Sequence, residues 1–378
     1  MKPLSALNYC KYNKKKLFTS IISIVVAVAF LFVLQNFVKS MSDSMFQIFT
    51  NPYNTHMELY SNEENKPISE AVVTMLENNI NVEKVIPYTS FNTKFILPGT
   101  ISAVPIYSIK SEDMKYVMSK HKAVLKEGHL PSDGSNEIAL DSKIVKNKKI
   151  KLGDKIGNSI DKNDSLVGEY VIVGILEGSD YISLMSSNTS SPKASTFHME
   201  KALLVFPKEN KNKEVDKLLA SLPKDEVKAR AVTLSFVQKK FNESTSILHT
   251  LDMICVLAIL VMVISVGSSK YVQFFNRKQE LGVLNAMGYT KTQIMKRAFI
   301  EVAMINLSGF IIGMCLGTLC SVLINNGAFK AAGALARYSS SKAFIVSLYI
   351  PIFTTLFTLV PVNRMISKLD PITMIEQI

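Results

Sequence analysis

The residue types that most often carry enzyme chemistry or bind metals are few and scattered in this sequence. The histidines and cysteines do not stand at metal-ligand spacing from one another. No G-x-S-x-G nucleophile motif and no G-x-x-x-x-G-K-[ST] phosphate loop is present. We therefore expect no catalytic site, no metal site and no cofactor site in this chain. The histidines and cysteines are His56, His121, His129, His198, His249, Cys10, Cys255, Cys315 and Cys320.

Charged residues beside apolar runs are the next candidates, because an ionisable group at membrane depth is often functional. His249 and Asp252 are three residues apart and could share one helix face. Glu301 follows Arg297 by one helical turn and could pair with it. All of these residues stand at the boundary of an apolar run, so we interpret them as interfacial residues.

A short basic segment, residues 270–297, connects two long apolar runs. Helix-forming residues stand on both sides of Gly288 and Tyr289, which predicts a helix, a tight corner and a second helix. Thr290 and Gln293 have the spacing of a capping box, which predicts that the second helix starts at Thr290. We therefore expect a rigid elbow between two membrane segments.

The elbow combines positive charge with an apolar face. Glu280 is its only acidic residue, whereas six residues are basic. Such a surface is suited to docking a cytoplasmic partner, and the alternative is a solvated loop between membrane spans. The basic residues are Lys270, Arg277, Lys278, Lys291, Lys296 and Arg297, and the apolar face consists of Leu281, Val283, Leu284 and Met287.

Four uncharged apolar runs are long enough to cross a bilayer, which requires about 20 residues. The segment between the first and second runs contains about two hundred residues and no comparable run. The sequence therefore predicts a membrane protein with four transmembrane helices, one large extramembrane domain and direct contact with the lipid bilayer. The four runs are residues 17–38, 253–269, 302–329 and 343–363.

The charge distribution predicts the orientation of the chain. Residues 1–38 carry five lysines and no acidic residue, and residues 247–378 carry 11 basic and 5 acidic residues. Residues 39–246 are nearly neutral, with 27 basic and 26 acidic residues. The positive-inside rule therefore makes both termini and the elbow cytoplasmic and residues 39–246 extracytoplasmic, although basic residues in the short outer loop are a counter-signal. A nucleic-acid partner is not expected, because the large domain has no clustered basic face.

The N-terminal lead-in has two interpretations. Residues 1–16 are mildly amphipathic and predict an interfacial helix that continues into a retained first span. The alternative is a cleaved signal peptide. The first apolar run exceeds the length of a signal-peptide core, and no small-x-small site follows Val38, so we favour the retained anchor.

Amphipathic stripes extend from the first span and lead into the second span. The spacing in each stripe is typical of a helix, and a Ser235–Gln238 capping box predicts the start of the second helix. The two helices could pair as a stalk, or each stripe could pack on its own domain. We favour the stalk, since both stripes are directly continuous with a span. The stripes are Phe37, Met41, Met45 and Ile48, followed by Leu234, Val237, Phe241 and Leu248.

The outer segment predicts an α+β domain with a β-rich insert. A strand–helix–strand pattern stands near each of its ends, which indicates two βαβ units. The middle part, residues 103–195, is richer in strands and contains Gly and Pro turns, and its Ser-rich end is typical of a flexible loop. The expected elements are strand 55–60, a helix capped by Ser69 and ending at Asn79, one or two strands in 82–97, strands 136–140, 169–176 and 202–206, helix 213–221, strand 226–232 and the flexible loop 179–195.

The third apolar run carries a row of small residues. Gly309, Gly313 and Gly317 recur at every fourth position, and Ser321 continues the row. Such a row allows two membrane helices to approach closely. The partner helix could belong to the same chain or to a second copy, and we expect the same chain.

Several stretches resemble one known family. RKQELGVLNAMGYTKTQI (residues 277–294) resembles, without gaps, the signature R-x-x-E-(I/L)-G-(V/I)-L-x-A-(I/L/M)-G-(A/M/Y) of MacB/FtsX-type ABC transporter permeases. Residues 125–156 and 169–178 resemble the outer-domain segments of that family. The sequence NYCKYNKKKLFTSI and the dipeptide Asp370-Pro371 resemble its pre-span segment and its closing motif. The resemblance covers nearly the whole chain in the same order.

The resemblance implies a dimeric transmembrane subunit whose chains each dock a separate cytoplasmic ABC ATPase. ATP would be bound by that partner, and the elbow would couple ATP hydrolysis to movements of the outer domain through the stalk. The second permease would be a copy or a paralogue. The residues that match the family's coupling motif are Glu280, Leu281, Gly282, Val283, Leu284 and Gly288. Asn285 and Tyr289 stand at positions that vary in the family and could tune the choice of partner. The full expected coupling site also includes Gln279 and Met287.

Two functions from different classes follow from these expectations. The favoured one is export or extraction of a peptide, lipid or lipoprotein-like substrate by mechanotransmission. The alternative is a non-transporting signal transmitter that regulates an extracellular partner such as a cell-wall hydrolase. A membrane-anchored adhesin is a weaker third option, since it would not need the elbow. The expected segments are an interfacial helix 1–16, spans 17–38, 251–269, 300–323 and 343–363, stalk helices 39–52 and 233–250, the outer domain 53–232, the elbow 270–299, the outer loop 324–342 and the cytoplasmic tail 364–378.

Overall fold

The structure is a computed structural model, and it forms two compact units. Unit 1 comprises the described parts of Met1–Lys39, Ile247–Asn325 and Arg337–Ile378, and unit 2 comprises those of Ser40–Ser246 and Asn326–Ala336. The described residues are 14–63, 66–187, 200–222, 228–244 and 246–368.

Ten helices and ten strands are named here in chain order. The helices are α1 (Lys14–Phe49), α2 (Glu70–Glu77), α3 (Ser111–Lys120), α4 (Ser142–Lys148), α5 (Asn212–Ala220), α6 (Leu234–Ser244), α7 (Ser246–Phe275), α8 (Lys278–Ala286), α9 (Lys291–Ile324) and α10 (Ser341–Ser367). The strands are β1 (Met57–Ser61), β2 (Val82–Leu97), β3 (Thr100–Ile109), β4 (Val124–Gly128), β5 (Glu137–Asp141), β6 (Lys155–Ile156), β7 (Tyr170–Glu177), β8 (Leu184–Ser186), β9 (Glu200–Pro207) and β10 (Ala229–Val232).

Four helical segments are long and apolar enough to cross a membrane, which confirms the prediction of four spans. Ile24 of α1, Val263 of α7, Ile305 of α9 and Ile350 of α10 meet in one apolar core within unit 1. Many other apolar side chains on these helices, such as Leu307, point outward and are exposed. Outward apolar side chains are expected on helices whose surroundings are lipid. The segments are Leu17–Phe49, Thr250–Phe275, Lys291–Lys330 and Ser341–Ser367.

A ten-stranded sheet forms the body of unit 2, in the order β10-β1-β9-β2-β3-β8-β5-β7-β4, with β6 paired to β7. Strands β1 and β2 are both antiparallel to β9, which lies between them, and β10 is antiparallel to β1. The units β1-α2-β2 and β9-α5-β10 are therefore two interleaved split βαβ units. This confirms the strand–helix–strand pattern at both ends of the outer segment.

The amphipathic faces of α2 and α5 explain why these helices lie on the sheet. Val72 and Leu76 of α2 and Val215 and Leu219 of α5 are buried in one cluster with apolar residues of β1, β2, β9 and β10. Their spacing of four residues places each pair on one helix face. Ser69 stands at the N-cap of α2 as predicted, but its side chain makes no capping hydrogen bond.

The insert between β2 and β9 is rich in strands, as predicted, and also contains two helices that were not predicted. Met114, Val117 and Met118 of α3 are buried and have the i, i+3, i+4 spacing of an amphipathic helix. In α4, Asp141 caps the N-terminus by accepting a hydrogen bond from Lys143 N at 2.8 Å. The helical spacing of α3 is therefore visible in the sequence, although residues 103–195 as a whole predict mainly strands.

The Ser-rich end of the insert corrects another prediction. The expectation of a flexible loop over 179–195 is wrong for residues 179–187, because β8 pairs in parallel with β3. Tyr181, Leu184 and Met185 are buried in the sheet cores. The serines in this segment made it look polar, but its apolar residues are enough to bury it in the sheet.

Several predictions fall outside the described residues. They concern most of the interfacial helix 1–16, the loop over 188–195, the start of strand 226–232 and the closing Asp370-Pro371 motif. The prediction that His249 and Asp252 share a helix face cannot be compared with the structure, because the side chain of His249 lies outside the described ones. Asp252 itself accepts a hydrogen bond from Lys342 Nζ at 2.7 Å.

Candidate coupling segment

The predicted corner at Gly288 is a helix C-cap built by the backbone. Gly288 N donates to Asn285 O at 3.1 Å, and Tyr289 N donates to Leu284 O at 3.2 Å. These two hydrogen bonds form a Schellman motif, which needs a left-handed residue just after the helix end. Gly288 has φ +93°, a conformation that costs glycine little, and it therefore turns the chain out of α8.

The second half of the corner is the predicted capping box, which is confirmed. Thr290 Oγ1 accepts a hydrogen bond from Gln293 N at 3.3 Å. Thr290 N donates to Gln293 Oε1 at 2.9 Å. α8 and α9 are thus joined by two capping motifs with almost no free chain between them, which limits their relative movement.

The apolar face of α8 divides into two sets. Leu281 and Leu284 are buried among apolar side chains of α7, α9 and α10, including Phe274. Val283 and Met287, one helical turn apart, are 44% and 57% exposed. The first set therefore holds α8 against the neighbouring helices, and of the predicted apolar face only Val283 and Met287 are accessible to a partner.

Two arginines and two glutamates link the ends of the elbow. Arg277 Nη1 donates to Glu301 Oε1 at 2.7 Å, and Arg277 Nε donates to Glu280 Oε2 at 3.0 Å. Arg297 Nη2 donates to Glu280 Oε1 at 3.1 Å. The predicted pairing of Glu301 with Arg297 is wrong, because Arg277 reaches Glu301 and Arg297 turns to Glu280. Glu280 of α8 is therefore bonded to both flanking helical regions.

The charge of Glu280 follows from these contacts. Partial burial raises the pKa of the Glu280 carboxyl, but the hydrogen bond from Arg277 and the positive charges of Arg277 and Arg297 outweigh burial. Its pKa therefore lies below the ordinary value. The carboxylate is charged at neutral pH and holds both arginines.

The six basic residues of the elbow are not all surface charges. Arg277 and Arg297 are buried in the network above, and buried Lys270 donates to Asn306 Oδ1. Asn306 in turn donates to Thr355 Oγ1 of α10 at 2.6 Å, so this polar contact connects α7, α9 and α10. Lys291 is exposed and donates to Ser367 O at 2.7 Å. Positive charge accessible to a partner is therefore smaller than the sequence predicts.

The ten predicted coupling residues fall into three classes of exposure. Gly282, one of the predicted coupling residues, is buried and therefore does not offer a surface to a partner. Gln279, Glu280, Val283, Met287 and Gly288 are exposed, Asn285 and Tyr289 are half-buried, and Leu281, Gly282 and Leu284 are buried.

The glycine row of α9 faces α1 of the same chain. A Cβ added to Gly309 would lie 2.8 Å from Ile24 Cβ, and one added to Gly313 would lie 2.8 Å from Val28 Cβ. A Cβ at Gly317 would lie 3.1 Å from Phe32 Cδ1. The absence of side chains at these positions is what permits the close approach of the two helices.

The first predicted stalk stripe packs on the sheet domain. Ile48 is buried in a core cluster of unit 2, and Met41 and Met45 pack against the same cluster. For these three residues, the alternative that the stripe packs on its own domain is therefore correct. Phe37 lies in α1 and is half-buried.

The second stalk stripe contacts both the sheet domain and α1. Leu234 packs on the core beneath α5, and Val237 is half-buried. Phe241 makes an edge-to-face contact with Phe46 of α1, with ring centroids 5.4 Å apart. The two helices therefore meet as predicted, but through Phe46, which lies outside the predicted stripe.

The predicted start of the second stalk helix is also corrected. α6 begins at Leu234, and Phe236 N donates to Thr233 Oγ1 at 3.4 Å. The predicted capping box of Ser235 and Gln238 is wrong, because Ser235 already lies inside the helix. Thr233 supplies the capping side chain instead.

A row of buried polar groups in unit 2 was missed by the sequence reasoning. His56 Nδ1 lies 2.9 Å from His121 Nε2, and His121 Nδ1 lies 2.7 Å from Asp180 Oδ2. Tyr53 OH donates to Glu58 Oε2 at 2.7 Å, and His56 Nε2 lies 3.4 Å from Glu58 Oε1. The two histidines are 65 residues apart in sequence, so spacing could not have paired them.

Burial and hydrogen bonding set the protonation of this row. Burial lowers the pKa of His121 to about 4, so its ring is neutral at pH 7. Burial raises the pKa of Glu58 and Asp180, but hydrogen bonds from His56 to Glu58 and from His121 to Asp180 bring both pKa values below the ordinary range. In the part of the chain that the structure describes, no group of three metal-ligating side chains is arranged to hold an ion.

Two protein families match this chain. Residues 17–231 match the MacB-like periplasmic core domain, and residues 253–371 match the FtsX-like permease C-terminal domain. Together these matches cover most of unit 2, nearly all of the four candidate spans and the whole elbow, and residues 232–252 lie between them. HrtB of Staphylococcus epidermidis, which carries the name of a hemin transport system permease protein, is 23% identical over 269 residues. That alignment covers 68% of this chain and 69% of HrtB.

Two solved structures are also similar. The periplasmic region of MacB from Actinobacillus actinomycetemcomitans is 13% identical, with a TM-score of 0.29, over 52% of this chain and 95% of that structure. The extracellular domain of the ABC-type transporter YknZ from Gram-positive bacteria is 13% identical, with a TM-score of 0.30, over 47% of this chain and all of that domain.

Proposed function

Because the chain belongs to the MacB/FtsX-type family of ABC transporter permeases, we propose that it couples ATP hydrolysis on a separate cytoplasmic ATPase to movements of its extracytoplasmic domain. The chain is a multi-pass membrane protein of that family, and ATP is bound by the partner subunit. The observation that carries the proposal is the elbow: a short helix fixed at both ends, with an exposed apolar pair at its surface.

The orientation in this proposal follows from charge. Both termini and α8 are cytoplasmic, and residues 39–246 are extracytoplasmic, since net positive charge is concentrated beside the spans on the α8 side. A cytoplasmic α8 is accessible to a soluble ATPase. Val283 and Met287 are the side chains that contact it, and Leu281, Leu284 and Glu280 hold the helix in place.

Movement reaches the outer domain through α1 in this proposal. One uninterrupted helix carries Ile24 in the core of unit 1 and Ile48 in the core of unit 2. An α-helix held by packing near both ends transmits displacement along its axis better than a flexible linker does. Helix α6, which precedes the second span, contacts α1 through the rings of Phe241 and Phe46.

The transported substrate lies at the outer leaflet or in the extracytoplasmic space. A peptide, a lipid or a lipoprotein-like molecule suits a mechanism in which the outer domain performs the movement. The name of HrtB adds hemin as a candidate. A second permease, as a copy of this chain or a paralogue, completes the assembly.

Reconstitution with its ATPase tests the proposal. We expect the chain in nanodiscs to bind a phosphate-loop ATPase and to change its ATP hydrolysis rate when a candidate substrate is added. An assembly that contains no ATPase contradicts the proposal. An assembly whose hydrolysis responds to an extracellular protein, and to no transported molecule, supports the signal-transmitter alternative.

A further inference from the structure

A polar cavity in unit 2 contains no residue of the elbow. Its volume is about 430 Å³, within the range of small-ligand sites. Helix α1, helix α4, the edge formed by β4 and β7, and the loop before α10 provide its walls. Its lining includes Gln47, Lys126, Lys143, Lys146, Glu177 and Lys330.

Two of the four lysines named in this cavity have a carboxylate within salt-bridge distance of their ammonium group. Lys126 Nζ lies 3.3 Å from Glu177 Oε2. Lys143 Nζ lies 3.6 Å from Asp141 Oδ2 and 4.8 Å from the centre of the Tyr181 ring. These two ammonium groups therefore already have partners, and a ligand would add to them.

The other two lysines are uncompensated. Lys146 and Lys330 are exposed, and within the described ranges neither ammonium group lies within salt-bridge distance of a carboxylate. The wall also contains a buried acceptor, because Gln47 Oε1 has no donor among the described residues, while Gln47 Nε2 donates to Ser179 O at 2.7 Å. A buried polar atom without a partner is uncommon, and this acceptor needs a donor such as a water or a ligand hydroxyl group, so it is not a contact of the phosphate itself.

We propose that this cavity binds the phosphate group of an anionic ligand. Lysine ammonium groups bind phosphate as point charges. A phosphate presents several strong acceptor oxygens, so it can contact Lys146 and Lys330 and still be shared with Lys126 or Lys143. A carboxylate has two oxygens and satisfies fewer of these donors.

A phospholipid headgroup is the favoured source of that phosphate. Gln47 lies in the segment Leu17–Phe49, and Lys330 ends the segment Lys291–Lys330, each of which carries a candidate span. Two walls of the cavity therefore belong to chain that leads directly from the membrane. The placement of this lipid in the outer leaflet rests on the orientation proposed above, but binding itself requires no ATPase.

Lipid retention by the full chain tests the inference. The chain is purified in detergent, incubated with phosphatidylglycerol or phosphatidylcholine, and analysed by native mass spectrometry with no ATPase present. We expect preferential retention of phosphatidylglycerol and roughly tenfold weaker retention by Lys146→Gln/Lys330→Gln, since two charge-assisted contacts are lost. The matched control is Lys115→Gln/Lys213→Gln, which removes the same charge from exposed positions elsewhere in unit 2.

The outcomes separate the sources of the ligand. Competition of the lipid by glycerol phosphate supports phosphate as the recognised group. Binding of glycerol phosphate without retention of lipid overturns the membrane source and keeps the phosphate site. Equal loss in the two double variants, or equal binding of oleate and phosphatidylglycerol, overturns the site. None of these results depends on coupling to an ATPase, so failure here leaves the proposed function standing.

Discussion

Neighbouring apolar side chains of the elbow differ in their exposure, although they belong to one sequence motif. Leu281 and Leu284 are buried, whereas Val283 and Met287 are exposed. The sequence predicted the corner at Gly288 and the capping box, because both depend on residues close in the chain. It could not predict which apolar residues remain accessible, because that depends on the packing of α8 against distant helices.

Removal of the Glu280 carboxylate should loosen α8. Glu280→Ala removes the carboxylate that Arg297 contacts and also removes a contact of Arg277, so we expect a loss of about 1–2 kcal/mol in local stability. Hydrogen exchange of the α8 amides measures it. Gln279→Ala, at an adjacent exposed position, is the control. Equal protection of α8 in both variants would show that Glu280 does not hold the elbow.

Burial and hydrogen bonding decide which substitutions in α8 can probe docking. Gly282 is buried and Glu280 bonds two arginines, so Gly282→Arg or Glu280→Lys would disturb the fold of the elbow as well as any contact with a partner. Val283 and Met287 are exposed and separate these two effects.

At the scale of elements, close approaches between helices set the arrangement of unit 1. The every-fourth-residue glycine row predicted a close helix contact, and the structure shows that α1 is the neighbour. The row gave no indication of the partner, since small residues permit close packing without selecting a helix. The stalk residues show the same limit: their spacing predicted helices, but packing on the sheet directs Met45 and Ile48 inward.

A larger residue at the centre of the glycine row should separate α1 from α9. Gly313→Val places atoms within about 3 Å of Val28 and Val25 O, and overpacking of this kind typically costs about 1–3 kcal/mol. We expect a lower thermal unfolding midpoint in nanodiscs. Gly327→Ala is the control, because a Cβ there meets open space. Equal midpoints in both variants would contradict the intrachain contact.

The buried polar row in unit 2 should make stability depend on pH. The pKa of His121 is about 4 in the folded protein and about 6.5 when unfolded, so the unfolded chain binds more protons between these values. His121 therefore stabilises the fold above about pH 6.5, and this contribution is lost as the pH falls towards 4. Asp141 acts in the opposite direction, because burial raises its pKa to about 6.

A comparison of variants separates the contribution of His121 to the pH dependence of stability from that of Asp141. Between pH 7.5 and 4.5, we expect wild-type protein to lose about 2–3 kcal/mol of unfolding free energy relative to His121→Gln, which cannot gain this proton. Urea unfolding of the full chain in nanodiscs, monitored by tyrosine fluorescence, measures the difference. His129→Gln, at an exposed position, should show no such change. A constant difference between wild type and His121→Gln would remove the row as a determinant of acid stability.

At the scale of the whole molecule, patterning predicted the main organisation. The four spans, the single large domain and its strand–helix–strand ends follow from apolar runs and from local periodicity. The order of the ten strands could not be predicted, because β1 pairs with β9 and β10 more than 140 positions away. The contact of His56 with His121 was inaccessible for the same reason.

The most direct test of the account is site-specific photo-crosslinking from α8 in cells that express the complete assembly. A photoreactive residue at Met287 should form a covalent adduct with a protein that contains a phosphate loop, because this side chain is exposed beside the corner. The matched position is Val261, which is also exposed but lies well inside the second candidate span and outside the elbow, and it should give no such adduct. An ATPase that assembles with the chain yet crosslinks to neither position, or equally to both, would contradict coupling through this elbow.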